Sequence, residues 1–335
     1  MGGVTIKNTI STESTLCIFC GRNSSDEWLN GEDFLWGVEG RFSYTRCDEC
    51  GLLYMNPRVV PADAGKLYPE DYGPHLGASA LGAVSHGEAS RPGVTDRVKS
   101  FLRRHFFDRL KGVRLNREAY CTMARSDSRA LDVGCGSGAY LDDLRKETGC
   151  DVLGVDFSEA AVETAFRKYG VKVLQGKLSD VSLEPDSFDL VTAWWLIEHV
   201  PNPGDVISEM VRLTKAGGRV VVGTPNSRSL NARLFGRRWY HLDCPRHYHL
   251  WTPETFQAMF ENNGLELERL AFDRSPWGLL GSLQFLVFGR SEKTRFKNLL
   301  RKNAALGLVL LPLTFLVALC GASDVMVAHC RKPMK

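Results

Sequence analysis

With 335 residues, the chain has room for one large domain and a smaller one. Hydrophobic residues at 44% and charged residues at 24% are an ordinary globular balance, and a net charge of +3 is too small to argue for nucleic acid. Residues 1–14 are polar with no apolar core, so no secretory signal is expected, and ten cysteines without one argue against a disulfide scaffold and for a reducing compartment in which some thiolates hold metal.

Two C-x-x-C-G units come first, at 17–21 and 47–51, with twenty-six residues between Cys20 and Cys47. Each unit presents two thiolates to one ion, and the glycine after it suits a tight turn. Four thiolates make a closed tetrahedral site with no position left for substrate. Cys17, Cys20, Cys47 and Cys50 are therefore expected to hold structural zinc in a ribbon domain over residues 1–74. An RNA-reading ribbon is the rival, weakened by a sparse basic content of Arg22, Arg41 and Arg46 between residues 16 and 54. The aromatics and prolines at 51–58 and 67–72 either pack an irregular segment on a neighbour or line an acceptor pocket.

Residues 75–96, rich in Gly, Ala and Ser, read as a flexible linker. Beyond it, Val98, Phe101, Leu102, Phe106, Leu110 and Val113 recur at helical spacing, with nine Lys or Arg against two acids over 97–125. That basic face is either solvated, on a helix covering the next domain, or in contact with anionic headgroups or phosphate.

The chain is organised around Ala130-Leu131-Asp132-Val133-Gly134-Cys135-Gly136-Ser137-Gly138: an apolar run, three glycines at alternate positions, then a helical pattern. Glycine lets backbone N–H groups approach a ligand closely at such a strand–loop–helix turn. A strand predicted over 150–156 ends on Asp156, placed to accept from ribose hydroxyls. A helix at 158–169 and strands at 171–174, 187–194 and 218–223 follow. This alternation predicts a mostly parallel sheet covered on both faces, with ligands beyond the C-terminal strand ends. The dinucleotide pattern G-x-G-x-x-G is absent; the loop reads D-x-G-x-G-x-G.

Gly154-Val155-Asp156, Phe188-Asp189-Leu190-Val191, Ile197-Glu198-His199-Val200-Pro201-Asn202-Pro203, Gly217-Gly218-Arg219 and Thr224-Pro225-Asn226 complete a set of motifs. Together, over 129–274, they resemble class I S-adenosylmethionine-dependent methyltransferases. The resemblance implies an α/β fold: a Rossmann-like, seven-stranded, mostly parallel sheet with its last strand antiparallel. It also implies roles. Gly134, Cys135, Gly136 and Gly138 would pass the backbone close to the methionine moiety, and Asp132 would position its amino-acid end. Asp156, with Phe157 beside it, would take the ribose hydroxyls. Lys177 and Leu178 would flank adenine, the lysine standing where many relatives have an acid. Trp194, Glu198 and His199 would reach the cofactor from the end of the fourth core strand; Glu198 and His199 equally suit bracing that loop. Ubiquinone O-methyltransferases carry E-x-x-E-H there, a motif associated with metal. Trp195 occupies the first acid's place, which argues against a catalytic metal.

A bacterial subgroup with a fused N-terminal C-x-x-C-G pair is more similar still, through the knuckles, residues 54–58, Tyr68-Pro69 and residues 243–252. Many of its members lie among genes for surface polysaccharide, modified sugars or secondary metabolites. In the last of these stretches, Arg246, His247 and His249 stand beside Trp239, Tyr240, Tyr248 and Trp251. Methyl transfer needs the nucleophile aligned and its proton removed, which suits a histidine. His247 is the first choice of general base and His249 the second; both also suit bracing the following helix.

Strands predicted at 265–273 and 324–330 flank an apolar excursion over 275–323, in which 304–323 carries no charge. Return to one sheet argues against a single membrane span, and Pro312 suggests a broken helix. Arg295, Lys297, Arg301 and Lys302 precede the run, as for a segment meeting anionic lipid. The excursion is either a monotopic hairpin with peripheral membrane contact or a lid or dimer partner. The expectation is a cytoplasmic methyltransferase domain over 97–335, at the inner membrane face if the hairpin dips. It would act on oxygen or carbon of a small-molecule or lipid-linked glycan acceptor, most readily a sugar, with S-adenosylmethionine and structural zinc. The rivals are an RNA methyltransferase with a zinc module and a non-catalytic scaffold; the oligomeric state is not legible.

Overall fold

The computed structural model describes residues 10–23, 26–68, 126–290, 299–300 and 303–334. The linker and basic helix expected within 75–125, and Arg295, Lys297, Arg301 and Lys302, lie outside the described residues.

Short strands build the N-terminal unit: β1 (Thr12–Glu13), β2 (Glu27–Gly31), β3 (Phe42–Arg46), β4 (Leu53–Met55) and β5 (Arg58–Val59). Each cysteine pair closes a turn that ends on a left-handed glycine, Gly21 at φ 72° and Gly51 at φ 75°. A side chain at either would be strained, which explains the glycine after each C-x-x-C. β2, β3 and β4 run antiparallel.

Among the described residues, the remaining strands and α-helices are β6 (Arg129–Val133), α1 (Ala139–Thr148), β7 (Asp151–Asp156), α2 (Glu159–Tyr169), β8 (Val173–Gln175), β9 (Phe188–Trp194), α3 (Pro203–Leu213), β10 (Thr214–Pro225), α4 (Leu230–Phe235), β11 (His249–Leu250), α5 (Pro253–Asn262), β12 (Glu266–Phe272), α6 (Trp277–Phe288), α7 (Ala304–Leu319) and β13 (Val325–Arg331). Seven strands form one sheet in the order β12-β13-β10-β9-β6-β7-β8. Pairing is parallel from β10 to β8, and β13 runs antiparallel to both β10 and β12. This is the Rossmann-like sheet with an antiparallel last strand that the methyltransferase resemblance implies.

Successive residues of a strand face opposite layers. Leu131, Val191, Val220 and Val222 therefore pack with Ile207 and Met210 of α3 and Phe256 and Phe260 of α5. Ala130, Leu190 and Val221 pack with Leu141 and Leu144 of α1 and Ala165 of α2. Both faces are covered, so the strands read as nearly continuous apolar runs. Thr252 starts α5 with a reciprocal capping box to Thr255 and Pro253 in the first turn.

β11 belongs to neither face of this sheet. It pairs antiparallel with β4, His249 opposite Tyr54, and completes a four-stranded sheet of order β11-β4-β3-β2. The N-terminal unit thus takes its last strand from the loop that follows β10 in the core. The apolar excursion forms two helices, and α7 runs through Pro312 without the break expected there. Proline removes one helical N–H, but Thr314 Oγ1 donates to Arg274 O at 2.7 Å and ties the second half of α7 to the end of β12. Among the described residues, no helix is long and apolar enough to cross a membrane.

Candidate active site

The C-terminal ends of β6, β7, β8 and β9 converge on one edge of the sheet. β6 delivers Gly134, Gly136 and Gly138, all left-handed at φ 70°, 51° and 74°. A Cβ on Gly138 would stand 2.9 Å from the Ala165 Cβ, so the loop also lies tightly against α2. Asp156 fastens this loop to the next one: Gly136 N donates to its Oδ2 at 2.8 Å and Ser158 N to its Oδ1 at 2.9 Å. A carboxylate has about four lone-pair positions, so room for two more donors remains. Asp132 lies at the end of β6, 2% exposed, and accepts from Thr192 Oγ1 at 2.6 Å. Burial pushes its pKa up to about 8, against the Thr192 hydrogen bond.

The other predicted cofactor residues share this edge. Leu178 is buried, Lys177 exposed just before it, and Gly176 N donates to Asp156 O at 3.0 Å. Phe157 is exposed beside Asp156. Trp194 lies flat against Gly223, where a Cβ would stand 2.7 Å from the Trp194 Cε3, and meets the Tyr140 ring edge-on at 5.4 Å. Cys135 turns away: its thiol packs on Gly154, where a Cβ would come within 2.4 Å of Sγ, and burial holds its pKa well above the ordinary value.

A second cluster lies where the β9–α3 loop meets the segment before β11. Glu198, His199 and His247 each place one ligand-capable atom within 4.8 Å of the others. Glu198 is fully buried; Thr224 Oγ1 donates to Oε2 at 3.1 Å, and Oε1 has no hydrogen-bond partner. Burial pushes its pKa up to about 8. The His199 and His247 rings meet edge-on at 4.5 Å. His247 Nδ1 lies 3.0 Å from His241 O, and His199 Nδ1 lies 3.2 Å from Arg246 O and 3.1 Å from the Tyr68 hydroxyl. Donation from Nδ1–H of His247 to its carbonyl leaves the lone pair of that ring on Nε2. Burial, with His199 and Arg246 beside it, holds the His247 pKa well below the ordinary value, so this imidazole is neutral. His249 stands outside the three: Nε2 lies 3.3 Å from Pro201 O, and burial lowers its pKa to about 4.

The N-terminal unit supports this cluster. Tyr44 Oη donates to His247 O at 2.8 Å. Arg246, without exposed surface, donates to both Asp33 oxygens at 2.8 Å, to Asp243 at 2.7 Å and to Leu67 O at 3.2 Å. Burial opposes its charge, but Asp243 and Asp33 hold its pKa above the ordinary value. Arg246 is thus a buried joint between the two units rather than a group facing ligand. Trp195 adopts φ 56° and stacks on His241 at 5.3 Å. A bulky residue at positive φ is a strained outlier of the kind that gathers at functional sites. Asp33 and Tyr44 carry no sequence motif, because their roles arise from contacts across the chain; the positive φ of Trp195 has no sequence signal, and the Tyr-Pro at 68–69 is the one signal for Tyr68.

Across the N-terminal unit, Cys17 and Cys50 sulfurs lie 3.6 Å apart and Cys20 and Cys47 sulfurs 3.4 Å apart, with all four within 4.8 Å. Tetrahedral zinc with Zn–S near 2.3 Å sets sulfurs about 3.8 Å apart, so the four thiols fit such an ion. Phe19, between the first two cysteines, meets the Trp251 ring edge-on at 6.4 Å, which places the first knuckle near the start of α5.

Among known proteins, the methyltransferase domain family matches residues 102–270, half of the chain. A ubiquinone biosynthesis O-methyltransferase of Methylococcus capsulatus is 42% identical over 112 residues, 32% of this chain and 46% of that protein. Its counterpart from Azoarcus sp. (strain BH72) is 32% identical over 167 residues, 46% of this chain and 70% of that protein. The chain thus spans about half the length of the first of these curated relatives. A solved SAM dependent methyltransferase from Archaeoglobus fulgidus is 21% identical, with 72% of this chain and 95% of that one covered at a TM-score of 0.44. By the extent of the family match and the Azoarcus relative, the chain belongs to the methyltransferase domain family.

Proposed function

We propose that the protein transfers a methyl group from S-adenosylmethionine to a hydroxyl oxygen or carbon of a small acceptor, with a sugar as the first candidate. The observation that carries this reading is the pairing of two features at adjoining strand ends. One is the left-handed glycine loop tied to Asp156; the other is the buried cluster of Glu198, His199 and His247. The relatives named as O-methyltransferases support methylation of a small molecule at oxygen.

When bound, the cofactor supplies a methyl carbon already activated by sulfonium. Asp132 and the glycine-loop backbone bind its amino-acid end, Asp156 takes the ribose hydroxyls, and Lys177 and Leu178 flank the base. The acceptor enters beside Trp195 and Tyr68 and offers its hydroxyl to the histidine pair. His247, neutral and held through Nδ1, receives the proton at Nε2; His199 and Glu198 line the cluster, and Asp243, its Oδ2 3.8 Å from His247 Nε2, faces the cation that forms. His249, held against Pro201 O, braces the loop. Cys17, Cys20, Cys47 and Cys50 hold structural zinc, which suits a reducing cytoplasm.

The test is a methyl-transfer screen with labelled S-adenosylmethionine and panels of nucleotide sugars, lipid-linked glycans and phenols. His247→Ala should lower turnover on the accepted substrate by about 10²-fold or more with cofactor affinity unchanged. Undiminished turnover would remove His247 from the proton step. No transfer to any panel by a protein that binds the cofactor would remove the acceptor class.

A further inference from the structure

α7 carries no charged residue, yet Val309, Leu313, Phe315, Leu316 and Leu319 are 42–73% exposed. A helix packed in a core hides such side chains, and one facing water alternates them with charges. Leu286 and Val287, at the C-terminal end of α6, are exposed as well.

Arginines stand near both helices. Arg290, just past α6, donates to Glu32, and Arg237 and Arg41 also act electrostatically on that carboxylate. Three cations thus stand around this one carboxylate. Arg274 lies over the Phe315 ring of α7 at 4.9 Å. Cations therefore stand at both α6 and α7, each beside exposed apolar side chains.

The inner side of α6 reaches the candidate active site. Phe285 stacks on Tyr240 at 5.6 Å, and Gly278 leaves space for His241, whose Nε2 would lie 2.9 Å from a Cβ there. The same two-helix unit therefore meets solvent on one side and the acceptor wall on the other.

We propose that α6 and α7 dock the enzyme on an anionic lipid bilayer. The apolar side chains enter the boundary between headgroups and acyl chains, and Arg41, Arg237, Arg274 and Arg290 meet lipid phosphates. A second copy is the competing occupant. Two-fold pairing through this face would bring the same arginine-rimmed surface against itself, whereas an anionic bilayer complements both the apolar side chains and the cations. The inference stands on α6, α7 and these arginines, independently of the methyl-transfer reading.

The test is flotation of the full-length protein with two kinds of vesicle, phosphatidylcholine alone and phosphatidylcholine with phosphatidylglycerol, at about 0.15 M salt. At least tenfold more protein should float with the anionic vesicles. Leu313→Asp with Leu316→Asp should lower flotation at least tenfold on both kinds. Arg237→Glu with Arg290→Glu should lower it on the anionic vesicles alone. Circular dichroism and melting temperature show that each variant is folded. Protein that stays at the bottom of the gradient with both vesicles overturns the proposal, as does flotation unchanged in the variants. A soluble dimer that the leucine variant splits, without flotation, assigns the face to a second copy instead.

Discussion

A carboxyl group with no cation beside it is hard to ionise in a protein interior, and Asp132 is such a group. The folded chain holds its proton up to about pH 8, while the unfolded chain releases it near the ordinary value of 3.8. Between those limits the folded state binds more protons, so stability falls as pH rises. Thermal unfolding of the ligand-free protein should therefore show a falling melting temperature from pH 5 to pH 8. Asp132→Asn should flatten that slope, gaining on the order of 1 kcal/mol relative to wild type at pH 8; parallel curves would contradict the assignment. Asp156 is the second residue at this scale. Asp156→Ala removes the acceptor for Gly136 N and Ser158 N as well as the proposed ribose contact. Calorimetric affinity for S-adenosylmethionine should fall by at least about tenfold, the equivalent of one charged hydrogen bond. The glycines are legible because a left-handed backbone dictates their residue type, Asp156 because it ends a predicted strand, and Asp132 through the methyltransferase resemblance. Trp195 is not: nothing in Trp-Leu-Ile-Glu-His announces a positive φ, which surrounding packing imposes.

Secondary elements were legible in proportion to their regularity. β6, β7 and β9 fall within a residue or two of the apolar runs that predict them. β10 runs from Thr214 to Pro225, longer than the predicted 218–223, because its irregular first half still pairs with β9 at Phe188. β11 left no signal, since two residues have no periodicity to read. Yet this short strand carries His249 and follows His247, and its partner β4 begins three residues after Cys50. Order in the knuckles should therefore be felt at the histidines. Chelation, or Cys17→Ser, should raise hydrogen exchange at residues 42–55 and 246–251 together, while 130–156 keeps its protection. Exchange confined to 42–55 would show that the two segments are not coupled.

At the scale of the whole molecule, the strongest links are the ones sequence patterns hide best. Arg246 and Asp33 stand 213 positions apart. The Pro-Arg-His run beside aromatics points to a polar cluster, and no local pattern ties Arg246 to an acid in the N-terminal unit. Arg246→Ala leaves Asp33 and Asp243 without their cation in the interior. Denaturant unfolding should report a loss of about 3–5 kcal/mol, the usual range when one partner of a buried pair is removed. Replacing both Arg246 and Asp33 by apolar residues should cost less than the single change.

The shared sheet of β4 and β11 also decides where the chain can be cut. A fragment starting at residue 97 would leave Tyr44, Asp33 and the partner strand of His249 and Leu250 on the discarded piece. It would present an open strand edge and a buried arginine with half its counter-charge removed. Such a fragment should associate with itself when expressed alone. Supplied with residues 1–74 as a second polypeptide, it should instead take up that piece in one-to-one ratio. The two cut pieces would then behave as one protein in two chains.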